Sequence, residues 1–266
     1  MKIAPSSRVL ITGAASGLGL ALVHQLVDRG CRVLGTDVHA ETPEALRGLE
    51  GVDYLRLDVT QDVDWATARD WVVEHWDGLD LLFNNAGVAA GGRIELTEID
   101  QWQWIVDINL LGVVRGCRTF TPMLKEQGAG HIVNTASAAG LVHPPRMSEY
   151  NAVKAAVVAL SETLLHELAP YGVKVSVVCP TFFKTNLTES LRGKDESAQR
   201  SAAKLIDRSQ VTAEDIATEV ITGVEKDRHI ILTDRDGKVA YAAKRFARPL
   251  YYSMMKKASI KMAKKD

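Results

Sequence analysis

The stretch Arg8-Val9-Leu10-Ile11-Thr12-Gly13-Ala14-Ala15-Ser16-Gly17-Leu18-Gly19 decides how the rest of the chain is read. It opens as a short apolar, β-branched run and turns through glycines. Leu20, Leu22, Val23, Leu26 and Val27 then recur at helical spacing until Gly30 supplies a stop. A strand passing through glycines into a helix N-terminus is an anion cradle. Glycines let backbone N–H groups approach a pyrophosphate, and the helix dipole favours negative charge. A glycine pattern alone is weak evidence, but this one sits in the strand, turn and helix context that the physics requires.

Outward from this stretch, the strand Arg32–Asp37 ends in a carboxylate placed to accept hydrogen bonds from an adenosine ribose. Asp37 would repel a 2′-phosphate, and neither Ser16 nor Val38 offers an offsetting positive charge, so the pattern predicts NAD rather than NADP. The plainer alternative is that Asp37 only caps the following loop. Residues 52–57 read as a third strand ending at Asp58-Val59, Asp62–Trp76 as an amphipathic helix, and residues 79–83 as a fourth strand closed by Asn84-Asn85-Ala86-Gly87. Small residues there let a ligand lie against the backbone, although the same tetrapeptide could be a simple turn. Residues 98–125 form a long helical pattern with Asn109 inside it, a poor helix residue that predicts a bend or a polar task.

Residues 131–135 read as the next strand. The apolar strand Val173–Val178 has the pattern of one covered on both faces and ends at Cys179-Pro180-Thr181. Residues 182–209 read as short helices, forming a lid over the strand ends. A helix capped by Thr212 and a strand at 229–232 follow. Strands alternating with helices predict one α/β domain, a doubly wound parallel sheet with helices on both faces, over residues 1–237.

Between these strands, residues 148–169 carry Val153, Val157, Leu160, Leu164 and Leu168 at helical spacing, so Tyr150 and Lys154 form an i, i+4 pair on one face. A fixed ammonium favours the phenolate form of a tyrosine that otherwise titrates near pH ~10. Ser137 stands thirteen residues ahead of the tyrosine. Most Tyr/Lys pairs at this spacing only line a solvated helix face; the surrounding motifs favour an active site here.

At 266 residues and 46% hydrophobic, the chain can bury one substantial core. Cys31, Cys117 and Cys179 are far apart, with no CxxC and no His/Cys cluster, which predicts free thiols, a reducing compartment and no metal. With no signal-like segment and no run of the ~18 apolar residues a span needs, a soluble, cytoplasmic protein is expected. Residues 238–266 hold nine of the 32 Lys/Arg and one of the 33 Asp/Glu, leaving 23 basic against 32 acidic side chains in residues 1–237. This basic amphipathic C-terminal extension could rest peripherally on an anionic membrane surface; the simpler reading is a helix packed on the body or on a partner subunit. No nucleic-acid module accompanies it.

Taken in order, Thr12 through Gly19, Asn84-Asn85-Ala86-Gly87, Asn109, Ser137 and Tyr150/Lys154 resemble the short-chain dehydrogenase/reductase family in its common short form, over residues 7 to 235. The resemblance implies Tyr150 as general acid/base, Ser137 holding the substrate oxygen, and Lys154 binding the nicotinamide ribose and lowering the Tyr150 pKa. It implies that Asn109 fixes a water behind Lys154. It places pyrophosphate at Gly13, Ser16, Gly17, Leu18 and Gly19, ribose at Asp37, adenine near Asp58 and Val59, and the middle of the dinucleotide at Asn85, Ala86 and Gly87. Pro180 and Thr185 fall at the nicotinamide end. The family often has Pro-Gly where this chain has Pro180-Thr181, which makes that backbone less free.

Ser137, Ala138, Val142, His143, Met147, Tyr150 and the segment from Thr181 to Leu191 are the expected substrate lining. Most are apolar or amphipathic, suiting a lipid-like, steroid-like or cyclic secondary alcohol; His143 reads rather as an ordinary loop residue. The resemblance also implies a homo-oligomer, dimer or tetramer, because the helical patterns at 98–125 and 148–169 commonly pack between subunits. Two other readings remain: an NADPH-linked 3-oxoacyl-type ketone reductase, which Asp37 disfavours, and a catalytically silent dinucleotide sensor or scaffold. The second has no need of Asn109, Ser137, Tyr150 and Lys154 together.

Overall fold

A computed structural model describes residues 2–184 and 192–263. The apolar runs form seven strands: β1 (Arg8–Thr12), β2 (Arg32–Asp37), β3 (Val52–Arg56), β4 (Leu81–Asn84), β5 (Gly130–Thr135), β6 (Val173–Val178) and β7 (Ile230–Ile231). They lie parallel in one sheet in the order β3-β2-β1-β4-β5-β6-β7. The chain winds outward from β1 through β2 to β3, then returns to place β4 on the other side of β1. That reversal opens a crevice at the C-terminal ends of β1 and β4.

The helices are α1 (Gly17–Val27), α2 (Asp62–Trp76), α3 (Ile99–Val106), α4 (Gly112–Gln127), α5 (Ala139–Val142), α6 (Ser148–Leu168), α7 (Glu196–Asp207), α8 (Ala213–Glu225), α9 (Arg235–Phe246) and α10 (Arg248–Ala263). Successive strand residues face opposite sides of the sheet. Val9 and Ile11 therefore pack with Leu22 and Leu26 of α1 and Ile216 and Val220 of α8, whereas Leu10 packs with Trp65 of α2, Phe120 of α4 and Val157 of α6. Cys31, Cys117 and Cys179 are free and buried.

Three segments differ from their sequence patterns. The helix expected over 98–125 is interrupted by a π-helical turn at Asp107–Leu111 between α3 and α4. Its cause is Asn109, fully buried, whose amide donates to the Val88 carbonyl and accepts the Val88 N–H, both at 2.8 Å. The described part of the expected lid holds one twelve-residue helix, α7, capped by Asp195, which accepts the Ala198 N–H at 3.1 Å. Residues 185–191, Thr185 included, lie outside the described residues. The last strand is only Ile230–Ile231.

The basic extension folds as α9 and α10. α9 starts before residue 238, with Asp234 as its cap, and Tyr251 of α10 is only 5% exposed. Among the described residues no helix is long and apolar enough to cross a membrane.

Candidate active site

The glycine turn and the end of β4 are built as one unit. The Thr12 hydroxyl accepts the Asn85 and Ala86 N–H groups, both at 3.0 Å, and donates to the Phe83 carbonyl at 3.3 Å. Asn85 answers by donating its side-chain amide to the Thr12 carbonyl at 3.0 Å. Packing is close enough to require glycine: a Cβ on Gly19 would lie 2.0 Å from the Gly13 carbonyl oxygen, and one on Gly13 would lie 2.9 Å from Ala86 Cα. Ser16 makes no side-chain cap bond at the α1 N-terminus, and the first turn, with Gly17, Leu18 and Gly19, carries no acid. Its backbone N–H groups and positive dipole end suit a phosphate. This backbone-lined cradle therefore fits a dinucleotide.

Asp37 caps the following loop and also reaches the glycine turn. Its carboxylate accepts the Val38 N–H at 2.8 Å, as a cap would, and the Ala15 N–H at 3.0 Å, which ties the end of β2 to the glycine turn. Asp58 closes its own turn by accepting the Thr60 N–H at 2.9 Å and the Thr60 hydroxyl at 2.8 Å. Val59 turns its side chain into the core, where a Cβ on Gly112 would come within 3.0 Å of it, so any contact with adenine falls to the Val59 backbone.

Across the crevice, α6 presents Tyr150 and Lys154, and the segment after β5 presents Ser137. The Ser137 hydroxyl is close enough to the Tyr150 phenol to act on its ionisation. Lys154, 3% exposed, donates from Nζ to the Thr135 carbonyl at 2.9 Å and lies 5.8 Å from the Tyr150 ring centroid. A Cβ on Gly87 would stand 3.1 Å from Asn109 Oδ1 and 3.6 Å from Lys154 Nζ, so Gly87, Asn109 and Lys154 form one neighbourhood.

Burial pushes the Tyr150 phenol up to about 12, opposed by the neighbouring Ser137 hydroxyl, and pulls the Lys154 ammonium down to about 8. Lys154 Nζ is directed to the Thr135 carbonyl, and burial is the largest influence on the phenol.

Ser137 itself is fixed twice. Its hydroxyl donates to the Pro180 carbonyl at 3.3 Å and accepts the Ala139 N–H at 3.1 Å. Ala138 is buried beside it, its N–H donating to the Pro180 carbonyl at 2.8 Å. Met147 stands at the start of α6, and its segment pairs with Gly92. Both ring nitrogens of His143 are engaged, Nε2 with the Gly140 carbonyl at 3.0 Å and Nδ1 with Lys244 Nζ at 2.6 Å. Burial and the neighbouring Lys244 charge hold its pKa below the ordinary value. The Thr181 hydroxyl is likewise committed, donating to Asp234 Oδ2 at 2.7 Å.

Several contributing residues escape sequence reading. Glu149, beside Tyr150 and fully buried, accepts from Gln101 Nε2 at 3.0 Å and so ties α3 to α6; burial raises its pKa. Asn134 of β5 accepts from Asn84 at 2.8 Å and donates to Ser161 of α6 at 3.0 Å beneath the site. Asp234, just ahead of the extension, holds Thr181, and Lys244 and Tyr251 within it hold residues 141–143; no local pattern announces them. Only Thr12, standing at the strand end beside the first glycine, carried a usable signal.

A family model described as short chain dehydrogenase matches residues 7–196. The chain is 36% identical over 182 residues to 3-alpha-(or 20-beta)-hydroxysteroid dehydrogenase of Mycobacterium bovis, covering 68% of this chain and 70% of the relative. It is 33% identical over 225 residues to 2-(R)-hydroxypropyl-CoM dehydrogenase of Xanthobacter autotrophicus, covering 81% and 90%. The structure resembles that of a short chain dehydrogenase/reductase from Burkholderia phymatum in complex with NAD, with a TM-score of 0.86, 33% identity, and 94% and 96% of the two chains covered. With the family model spanning most of the chain and the relatives agreeing in sequence and fold, this protein belongs to the short-chain dehydrogenase/reductase family.

Proposed function

We propose that the protein is an NAD-dependent oxidoreductase interconverting a secondary alcohol and a ketone, with Tyr150 as general acid/base. The observation that carries this reading is the convergence of Ser137, Tyr150 and Lys154 beside Gly87, at the open end of a glycine-lined cradle. When bound, the nicotinamide supplies or accepts the hydride. The chain's residues do the rest. Ser137 holds the substrate oxygen and Tyr150 moves the proton at its phenolic oxygen. Lys154 orients the nicotinamide ribose, while Asn109 fixes Val88 and the adjoining Gly87 backbone.

With the phenol pushed up to about 12, Tyr150 is protonated at neutral pH and poised to donate to a carbonyl. In the opposite direction it must accept a proton, so alcohol oxidation is expected to quicken as pH rises.

Asp37 supports NAD, because its carboxylate sits beside the turn where a 2′-phosphate would meet it. The buried Ala138 and the neighbouring Val142 and Met147 support an apolar alcohol, lipid-like, steroid-like or cyclic, in keeping with the hydroxysteroid dehydrogenase relative. A cytoplasmic homo-oligomer, dimer or tetramer, completes the reading, and sedimentation velocity would test the assembly. Peripheral membrane contact through the extension has in its favour the exposed Phe246, Leu250 and Met254 among Lys256 and Lys257.

The deciding experiment is absorbance growth at about 340 nm, from reduced nicotinamide, across steroid, retinoid, hydroxyacyl and sugar alcohols with NAD and NADP in parallel. Turnover of one class with NAD is expected. Measurable NAD binding with silence across the panel would favour the sensor reading, and turnover with NADP alone would overturn the cofactor assignment.

A further inference from the structure

Ser137 lies between two segments that the C-terminal helices grip. On one side its hydroxyl accepts the Ala139 N–H, and α5 then runs on to Leu141, Val142 and His143. There Lys244 of α9 donates to the Leu141 carbonyl and meets His143 Nδ1, both at 2.6 Å, and Tyr251 of α10 donates to the Val142 carbonyl at 2.8 Å. His143 adopts φ 56°, a left-handed conformation that a side-chain-bearing residue keeps only when its surroundings impose it.

On the other side, the Ser137 hydroxyl donates to the Pro180 carbonyl. Thr181, next in the chain, is bonded to Asp234, the same carboxylate that caps α9 by accepting the Gly237 N–H at 2.8 Å. The fit is tight, since a Cβ on Gly237 would lie 2.9 Å from Thr181 Cγ2.

We propose that Lys244 and Tyr251 are positioning residues, and that α9 and α10 form a strap fixing the Ser137 loop beside Tyr150. The strap sets substrate affinity without touching the reacting atoms. This rests on the reading of Ser137 and Tyr150 as the pair that meets substrate. Each bond removed frees one end of the loop, while the cradle around Gly13 to Gly19, at the end of β1, stays intact.

The test combines amide hydrogen exchange on the full chain with steady-state kinetics for wild type, Lys244→Met, Tyr251→Phe and Lys244→Arg. In each of the first two variants, amides in residues 138–147 should exchange about tenfold faster, with those of β1 and α1 unchanged. KM for the alcohol should rise about tenfold while kcat and the KM for NAD stay within about twofold, a split that general destabilisation does not give. Lys244→Arg, which keeps a charged donor, should recover most of the protection. Unchanged exchange in residues 138–147, acceleration spread over the whole chain, or an unaltered alcohol KM despite faster loop exchange would each overturn the proposal. If wild type turns over no alcohol, the proposed activity fails, and the exchange data still decide whether the strap exists.

Discussion

Thr12 spends all the bonding capacity of its hydroxyl, two acceptances and one donation, on joining the glycine turn to the end of β4. Its work is structural, whereas Tyr150 across the crevice is the proposed acid/base. Tyr150→Phe removes one oxygen and nothing else. Turnover is expected to fall at least about a hundredfold, the usual worth of a positioned acid/base. NAD affinity, measured by fluorescence titration, should hardly change. Substantial residual turnover would remove Tyr150 from the mechanism.

Asp37→Ala tests the other end of the cradle. Losing a charged acceptor and its repulsion of a 2′-phosphate should shrink the NAD over NADP preference in kcat/KM about tenfold. An unchanged ratio would leave Asp37 with only its capping bond to Val38.

At the scale of elements, the π turn at Asp107–Leu111 is centred on one buried residue, Asn109. Asn109→Ala removes both bonds to Val88 and leaves that partly buried backbone without them, at a cost of about 2 kcal/mol. A denaturant midpoint shift of that size, with weaker NAD binding because Gly87 loosens, is the expected result; a variant as stable as wild type would show that the turn forms without its side-chain clamp.

The π turn also marks where sequence reading stops. Strand, glycine turn and helix at Arg8–Val27 were legible because each signal is local, and so were Asp62–Trp76 and the Thr212 cap, which the structure completes as a capping box with Asp215. Asn109 could be flagged as an anomaly, but its partner Val88 lies 21 residues away. Lys244 meets His143 across 101 residues and Asp234 meets Thr181 across 53, separations that no periodicity encodes. The departure at Thr181 was visible in the sequence, whereas its structural use was not.

Over the whole molecule, pH acts through burial. His131, 1% exposed in β5, bonds through Nε2 to Ser176, whose hydroxyl donates to the Arg228 carbonyl, and its Nδ1 has no partner among the described residues. Burial holds its pKa at about 4 against an ordinary 6.5. Below pH 6.5 the unfolded chain therefore takes up a proton that the folded chain refuses. Stability should fall as pH drops from 6.5 to 4, by about 3 kcal/mol in all from this group. Thermal midpoints across that window should slope less in His131→Gln than in wild type, and equal slopes would acquit the residue.

The three buried thiols have a different consequence. Burial raises the pKa of each, to about 12 for Cys117 and Cys179, so the native molecule offers an alkylating reagent almost no thiolate. Modification must wait for the sheet to open. The cysteines thus act as an internal clock: the rate at which label accumulates on Cys117 measures how often the interior meets solvent, and saturating NAD should slow that clock.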